Sequence, residues 1–191
     1  MMEHCMIDLE TLGKRAGCMV LSIGAVMFDP EAGTLGEKFY REINQQSSLN
    51  RGLYVDSETA AWWRQQNNEA QGVLRRTMKP DAPTLDCALG EFANWLREQG
   101  GEQVKVWGNG ASFDNPILNE AFHKAGIVTP WEYWNDSCYR TLKRLGKKYF
   151  HIQEDEFVGV KHHALADAEH QARHAIKCLT AMQRASTIVG K

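Results

Sequence analysis

Four carboxylates and one imidazole carry the chemistry this chain could perform. Asp8 and Glu10 stand one residue apart at the end of an apolar run, in Met6-Ile7-Asp8-Leu9-Glu10-Thr11. Strand side chains alternate between faces, so the two acids point the same way, about 6.5 to 7 Å apart along the chain. Like charges on one face repel, and a hard divalent cation is the simplest neutraliser. Taken alone, the pair is better explained as a solvated strand end.

Two more acids are placed in a similar way. Asp114 follows the apolar stretch Val104 to Trp107 and the turn Gly108-Asn109-Gly110-Ala111-Ser112-Phe113. In open α/β sheets the strand ends face the ligand crevice, and so would a carboxylate opening the next helix. Asp167 lies in His162-His163-Ala164-Leu165-Ala166-Asp167, in the first turn of the last helix. Singly, either acid could serve only the helix dipole. Gly108-x-Gly110 does not continue into a dinucleotide fingerprint, because the third glycine position is Phe113 and Asp114 would oppose a pyrophosphate.

Together the four acids suit two-metal hydrolysis. That chemistry needs carboxylates converging on cations about 3.5 to 4 Å apart, one activating water and the other stabilising the leaving oxygen. His162, five residues before Asp167 and just outside the helix, is suited to take the proton of the attacking water. A rival set, His163, Asp167, His170 and His174, shares one helix face and could bind zinc. It would take Asp167 from the four acids, so His170 and His174 are read as exposed helix residues.

The elements that must position these groups are legible in outline. Glu3 to Leu9, Val20 to Phe28 and Glu37 to Ile43 read as strands joined by polar turns, an antiparallel meander, with Gly24 suited to a bulge or a close backbone contact. Asn44 to Val55 reads as loop. Asp56-Ser57 caps a helix carrying Trp62 and Trp63, Glu69 to Met78 is a second helix, and Thr84 caps a third with Leu85, Leu89, Phe92 and Leu96 on one face. Val104 to Trp107 is a strand, Pro116 to Lys124 a helix, and Trp131 to Trp134 an edge strand. Asp136 or Ser137 would cap a helix bearing Arg140, Lys143, Arg144, Lys147 and Lys148. The last helix spans Ala164 to Met182, with Leu165, Ala168, Ala172, Ile176 and Leu179 as its core stripe. The expectation is an α/β domain over residues 1–184, a mixed five-stranded sheet with helices on both faces, and a frayed tail over 185–191.

Composition bounds the function further. The chain has 191 residues, 43% hydrophobic and 24% charged, as an ordinary globular protein does. A net charge of -2 argues against a broad positive surface for nucleic acid, though not against an enzyme that grips a few phosphates locally. Five scattered cysteines without a C-x-x-C pair indicate reduced thiols. With no membrane-length apolar run and no signal-like N-terminus, the expectation is a cytoplasmic protein without a membrane partner.

On Asp8-Leu9-Glu10-Thr11, Phe113-Asp114 and His162 through Asp167, in that order, the chain resembles the DEDDh exonucleases, the DnaQ-like branch of the ribonuclease H-like fold. The resemblance spans residue 5 to about 180. Ala60-Ala61-Trp62-Trp63 and the glycine turn look like the branch of phage exonuclease A (DexA) and RNase AS. The resemblance implies that Asp8, Glu10, Asp114 and Asp167 hold two Mg²⁺ or Mn²⁺ ions and that His162 is the general base. It also implies that Glu10 lies near the terminal 3'-hydroxyl, and that Thr11, Leu12 and Gly13 sit under the terminal nucleotide. Phe113 would flank its base or belong to the core. Trp62 and Trp63 point about 100° apart on a helix, so at least one belongs to the core. Many relatives place an asparagine four residues before the second-motif aspartate. Here that position is Gly110 and Asn109 is one off, so no substrate contact is carried over to it.

The expected activity is 3'-5' exonucleolytic release of 5'-mononucleotides from single-stranded ends or 3' overhangs, DNA favoured over RNA. A catalytically inactive nucleic-acid-binding module and a metal-dependent phosphatase or nucleotidase are the alternatives. The resemblance also allows a homodimer.

Overall fold

The computed structural model describes residues 2–159 and 162–189. Its centre is β1 (His4–Thr11), whose alternation faces two separate cores. Cys5, Ile7 and Leu9 enter one core and Met6 the other, which puts Asp8 and Glu10 on the Met6 side. β2 (Val20–Asp29) and β3 (Thr34–Glu42) extend the sheet antiparallel on one edge. β4 (Lys105–Gly108) and β5 (Asp136–Cys138) extend it parallel on the other, giving the order β3-β2-β1-β4-β5. This is the mixed five-stranded sheet expected from the sequence.

Helices cover both faces. The Ile7 side packs on α2 (Ser57–Trp63), α3 (Asn68–Thr77), α4 (Leu85–Gly100) and α5 (Asp114–Ala125). On α4 the stripe Leu85, Leu89, Phe92 and Leu96 is fully buried, each side chain contributing about 1.5 to 3 kcal/mol by leaving water. Asp56 caps α2 by accepting from the Thr59 amide, and Thr84 caps α4 by accepting from the Cys87 amide. The Met6 side packs on α6 (Tyr139–Phe150) and α7 (Ala164–Val189).

Gly24 sets where α7 begins. It pairs with Asp8 across the β1–β2 ladder, and a Cβ there would lie 2.2 Å from both the Ala164 carbonyl carbon and the Leu165 nitrogen. Only a residue without Cβ lets the first turn of α7 rest on the sheet beside Asp8.

Four local expectations are corrected. The segment after β3 contains a short helix, α1 (Gln45–Asn50), capped by Asn44, whose side chain accepts from the Ser47 amide. The edge strand is β5, not Trp131 to Trp134. Trp131 is buried against Phe92 and Phe122, and Tyr133–Asn135 form a 3-10 turn. Neither Asp136 nor Ser137 caps α6: the Asp136 carboxylate accepts from Asn115 Nδ2 and Trp131 Nε1, and the N-cap is Cys138. Finally, the last helix does not end at Met182: α7 runs as far as Val189, and Gly190 and Lys191 lie outside the described residues. Among the described residues, no helix is long and apolar enough to cross a membrane.

Candidate active site

The register of β1 against β2 changes between Glu10 and Thr11, so the ladder loosens where the two acids reach the sheet edge. Past this point Thr11 Oγ1 donates to the Gly13 carbonyl at 2.7 Å, and Trp63 Nε1 donates to the Thr11 carbonyl at 2.9 Å. These bonds hold the turn that ends β1. Gly13 is needed for an internal reason: a Cβ there would lie 2.5 Å from Cys18 Cβ.

α7 supplies the facing wall. Asp167 in its first turn and Gln171 one turn later share a helix face. One ligand oxygen each from Asp8, Glu10 and Asp167 lie within 4.8 Å of one another. Among the described residues this is the group of acids, histidines and cysteines that converges as a metal site would. Gln171 Nε2 donates to Asp8 Oδ1 at 2.7 Å and orients that carboxylate.

Asp114 lies beneath this group and outside it. Its carboxylate is buried and held by two amides, Leu9 N–H at 3.2 Å and Asn109 N–H at 2.7 Å. The loop carrying Asn109 is in turn tied to α6, because Arg140 Nη2 donates to the Asn109 carbonyl at 2.6 Å.

The charges are poorly compensated, and the proton affinities record it. Burial, then the Asp114, Glu10 and Asp167 charges, hold the Asp8 carboxyl well above the usual carboxylate range. Burial with Asp167 and Asp114 pushes Glu10 up to about 8. Burial pushes Asp114 up to about 6, against the pull of its two amides and the Arg140 guanidinium. Burial also raises Asp167, opposed by His162 and by the backbone amides of His162 and His163. Among the described residues no lysine or arginine pairs with Asp8, Glu10 or Asp167, and this cluster of buried and half-buried acids fits a divalent cation by charge and by donor type.

Over the acids opens a cleft of about 540 Å³, lined among others by Trp62, Phe113 and His162, a size typical of small-ligand sites. His162 stands at φ 62°, a left-handed conformation uncommon for a side-chain-bearing residue. Its ring meets the exposed Trp62 edge-on at 5.1 Å between centroids. Trp62 and Trp63 divide as their angular separation requires: Trp62 is 43% exposed in the cleft and Trp63 is 1% exposed in the core. Phe113 both lines the cleft and packs against the core.

The structure thus brings Asp8, Glu10, Thr11, Gly13, Phe113, His162 and Asp167 to one cleft. Leu12 is buried in the core rather than lining it. The rival zinc set is dispersed: His163 stacks on Tyr40 at 4.4 Å, and His174 is 2% exposed with Nδ1 3.1 Å from the Tyr139 hydroxyl. His174 is therefore not an exposed helix residue, and His170, half-buried beside Phe157, is not one either. Sequence reasoning missed Gln171, whose signal was its spacing of four from Asp167, and Asn109, whose backbone and not its side chain serves Asp114.

Comparison with known proteins identifies the family and the fold. A family model described as the 3'-5' exoribonuclease Rv2179c-like domain matches residues 3–179. By sequence the chain is similar to an exodeoxyribonuclease of Enterobacteria phage T4, 27% identical over 160 residues, which cover 71% of this chain and 68% of that protein. Among solved structures it is similar to the nuclease domain of 3'hExo, a DEDDh family member bound to rAMP, with TM-score 0.63 and 14% identity over 93% of this chain and 92% of that one. It is also similar to exonuclease X in complex with 5' overhanging duplex DNA, with TM-score 0.54 and 18% identity over 93% and 92% of the two chains. At these identities the structural likeness speaks to the fold, a ribonuclease H-like one.

Proposed function

Since the chain belongs to the 3'-5' exoribonuclease Rv2179c-like domain family and is a DEDDh-type 3'-5' exonuclease, we propose that it shortens single-stranded 3' ends and 3' overhangs, releasing nucleoside 5'-monophosphates. The observation that carries this reading is the convergence of the Asp8, Glu10 and Asp167 oxygens within 4.8 Å at the floor of a cleft that His162 also lines. Asp8, Glu10, Asp114 and Asp167 would hold two divalent cations, Mg²⁺ or Mn²⁺. Such ions polarise the scissile phosphate, lower the pKa of water and stabilise a leaving oxygen.

The chain's own groups do the rest. A ring nitrogen of His162 accepts the proton of the attacking water as its oxygen bonds to phosphorus. The bond to the 3'-oxygen of the preceding nucleotide breaks, and that oxygen takes a proton from solvent to become the new 3'-hydroxyl, while His162 returns its proton to solvent. Trp62 and Phe113 offer ring surface to the terminal base, where stacking contributes about 1 to 3 kcal/mol. Gln171 holds Asp8 in place.

DNA is the first substrate on this reading, supported by the exodeoxyribonuclease of phage T4. RNA is the second, supported by the description of the family. Incubation of 5'-labelled single-stranded DNA, RNA of the same sequence and duplex DNA with a 3' overhang, each with Mg²⁺, tests both. A ladder receding from the 3' end, faster on DNA, is expected. An unchanged oligonucleotide would point to a binding module, and loss of a terminal phosphate alone to a phosphatase. A second assay, metal analysis of protein purified without added zinc, is expected to find no stoichiometric zinc.

A further inference from the structure

α6 carries a stripe of cations that the hydrolytic chemistry does not use. Tyr139, Leu142 and Gly146 face inward, while Arg140, Arg144, Lys147 and Lys148 are exposed. Their spacing puts them in one outward row, about 12 Å long at 1.5 Å per residue. The fifth cation of the helix, Lys143, is paired with Glu154. Among the described residues no carboxylate lies within ion-pair distance of Arg144, Lys147 or Lys148.

The row begins at the cleft. Arg140 is bonded to Asn109, which lines it. β4 and β5 run parallel and deliver the chain to the same sheet edge. α6 therefore starts beside the Asn109 loop and runs back along the flank, leading the cations away from the acids. At its far end Tyr149 is 60% exposed, with the Lys148 ammonium 4.9 Å from its ring centre. Cations in a row with an aromatic ring at its end match a single strand's backbone and bases. A net charge of -2 makes the row a local feature and not part of a basic surface.

We propose that the outer face of α6 binds the phosphodiester backbone of the single-stranded DNA that trails behind the terminal nucleotide. This rests on the exonuclease reading of the cleft. Each phosphate held there raises affinity for long strands and leaves the chemistry at the end untouched. A dinucleotide held in the cleft is too short to extend along α6 past Arg140 to Arg144, Lys147 and Lys148, so it reports the cleft alone.

The test compares Arg144→Gln/Lys147→Gln/Lys148→Gln with Lys79→Gln/Arg97→Gln/Lys124→Gln. The second variant removes the same charge from exposed sites on α4, α5 and the turn after α3, on the opposite side of the sheet. For the α6 variant, KM on a long single-stranded DNA should rise about tenfold or more, and log(kcat/KM) should fall less steeply with log salt, by about 2 in slope. Its kcat on a dinucleotide should match the wild type. An unchanged KM and salt slope, or equal changes in the control variant, would overturn the proposal. Hydrolysis of neither substrate by the wild type would instead be a failure of the exonuclease reading. Fluorescence anisotropy of a labelled strand then still decides on α6, by whether the same variant loses salt-sensitive affinity.

Discussion

At Glu10 the buried environment and the Asp167 and Asp114 charges lift the carboxyl from 4.5 to about 8. A carboxyl that holds its proton more tightly folded than unfolded stabilises the protein below the unfolded value, and this contribution is lost as pH rises through the folded one. Asp8 and Asp167 shift in the same direction. The metal-free protein should therefore melt at lower temperature as pH rises from about 5 to about 8, and Mg²⁺ or Mn²⁺ should restore more at the upper end. Calorimetry across that range checks it, and a pH-independent metal effect would count against a metal site built on these acids. Gln171 makes a separate prediction. Gln171→Leu removes the donor that orients Asp8 and should weaken metal affinity by about 10- to 100-fold with the fold intact, measured by titration calorimetry. His162→Asn keeps a residue that tolerates φ 62° and should lower the rate at saturating metal by about 10²-fold or more, read in single-turnover digestion. The acids were legible in the sequence because D-x-E and a first-turn aspartate have chemical reasons to recur. Gln171 was not, because its spacing of four from Asp167 gives a lone glutamine no chemistry until its partner across 163 positions is known.

Elements fail or succeed as sequence readings according to how local their causes are. The caps Asp56 and Thr84 bond amides three residues on, so the starts of α2 and α4 could be read from a few neighbours. The edge strand could not. Trp131 is drawn into the core and Asp136 is bonded by Asn115, 21 positions away, so tertiary partners decided where pairing begins. His174 was misread for the same reason, since its burial depends on Tyr139 of α6. Gly24 was read as a bulge or close contact, and its register with Asp8 makes the contact the means by which α7 reaches the acids. Gly24→Ala forces methyl against the Ala164–Leu165 peptide and should cost about 1 to 3 kcal/mol of stability. Its activity should fall further than thermal unfolding alone explains at the assay temperature. Full activity with unchanged melting would mean that α7 can move without disturbing the site.

For the molecule as a whole, the sheet separates two tasks. The face on α3, α4 and α5 carries the larger core, and the face on α6 and α7 carries Asp167, Gln171 and the α6 cations. The change of hydrophobic period after the third strand made helices on both faces legible, but not which helices take which face; the four acids and His162 could be grouped by their chemistry, and the resemblance to a known family gave each its role. The central claim is that the acids joined by this topology hydrolyse a strand from its 3' end. It is tested most directly by a time course on single-stranded DNA labelled at the 5' end, with Mg²⁺, for the wild type and for Asp167→Asn, which keeps the shape of the side chain and removes its charge. The account predicts successive shortening from the 3' end with 5'-monophosphates as product for the wild type, and no shortening for a folded Asp167→Asn. Internal cleavage by the wild type, or shortening at the wild-type rate by Asp167→Asn, would contradict it.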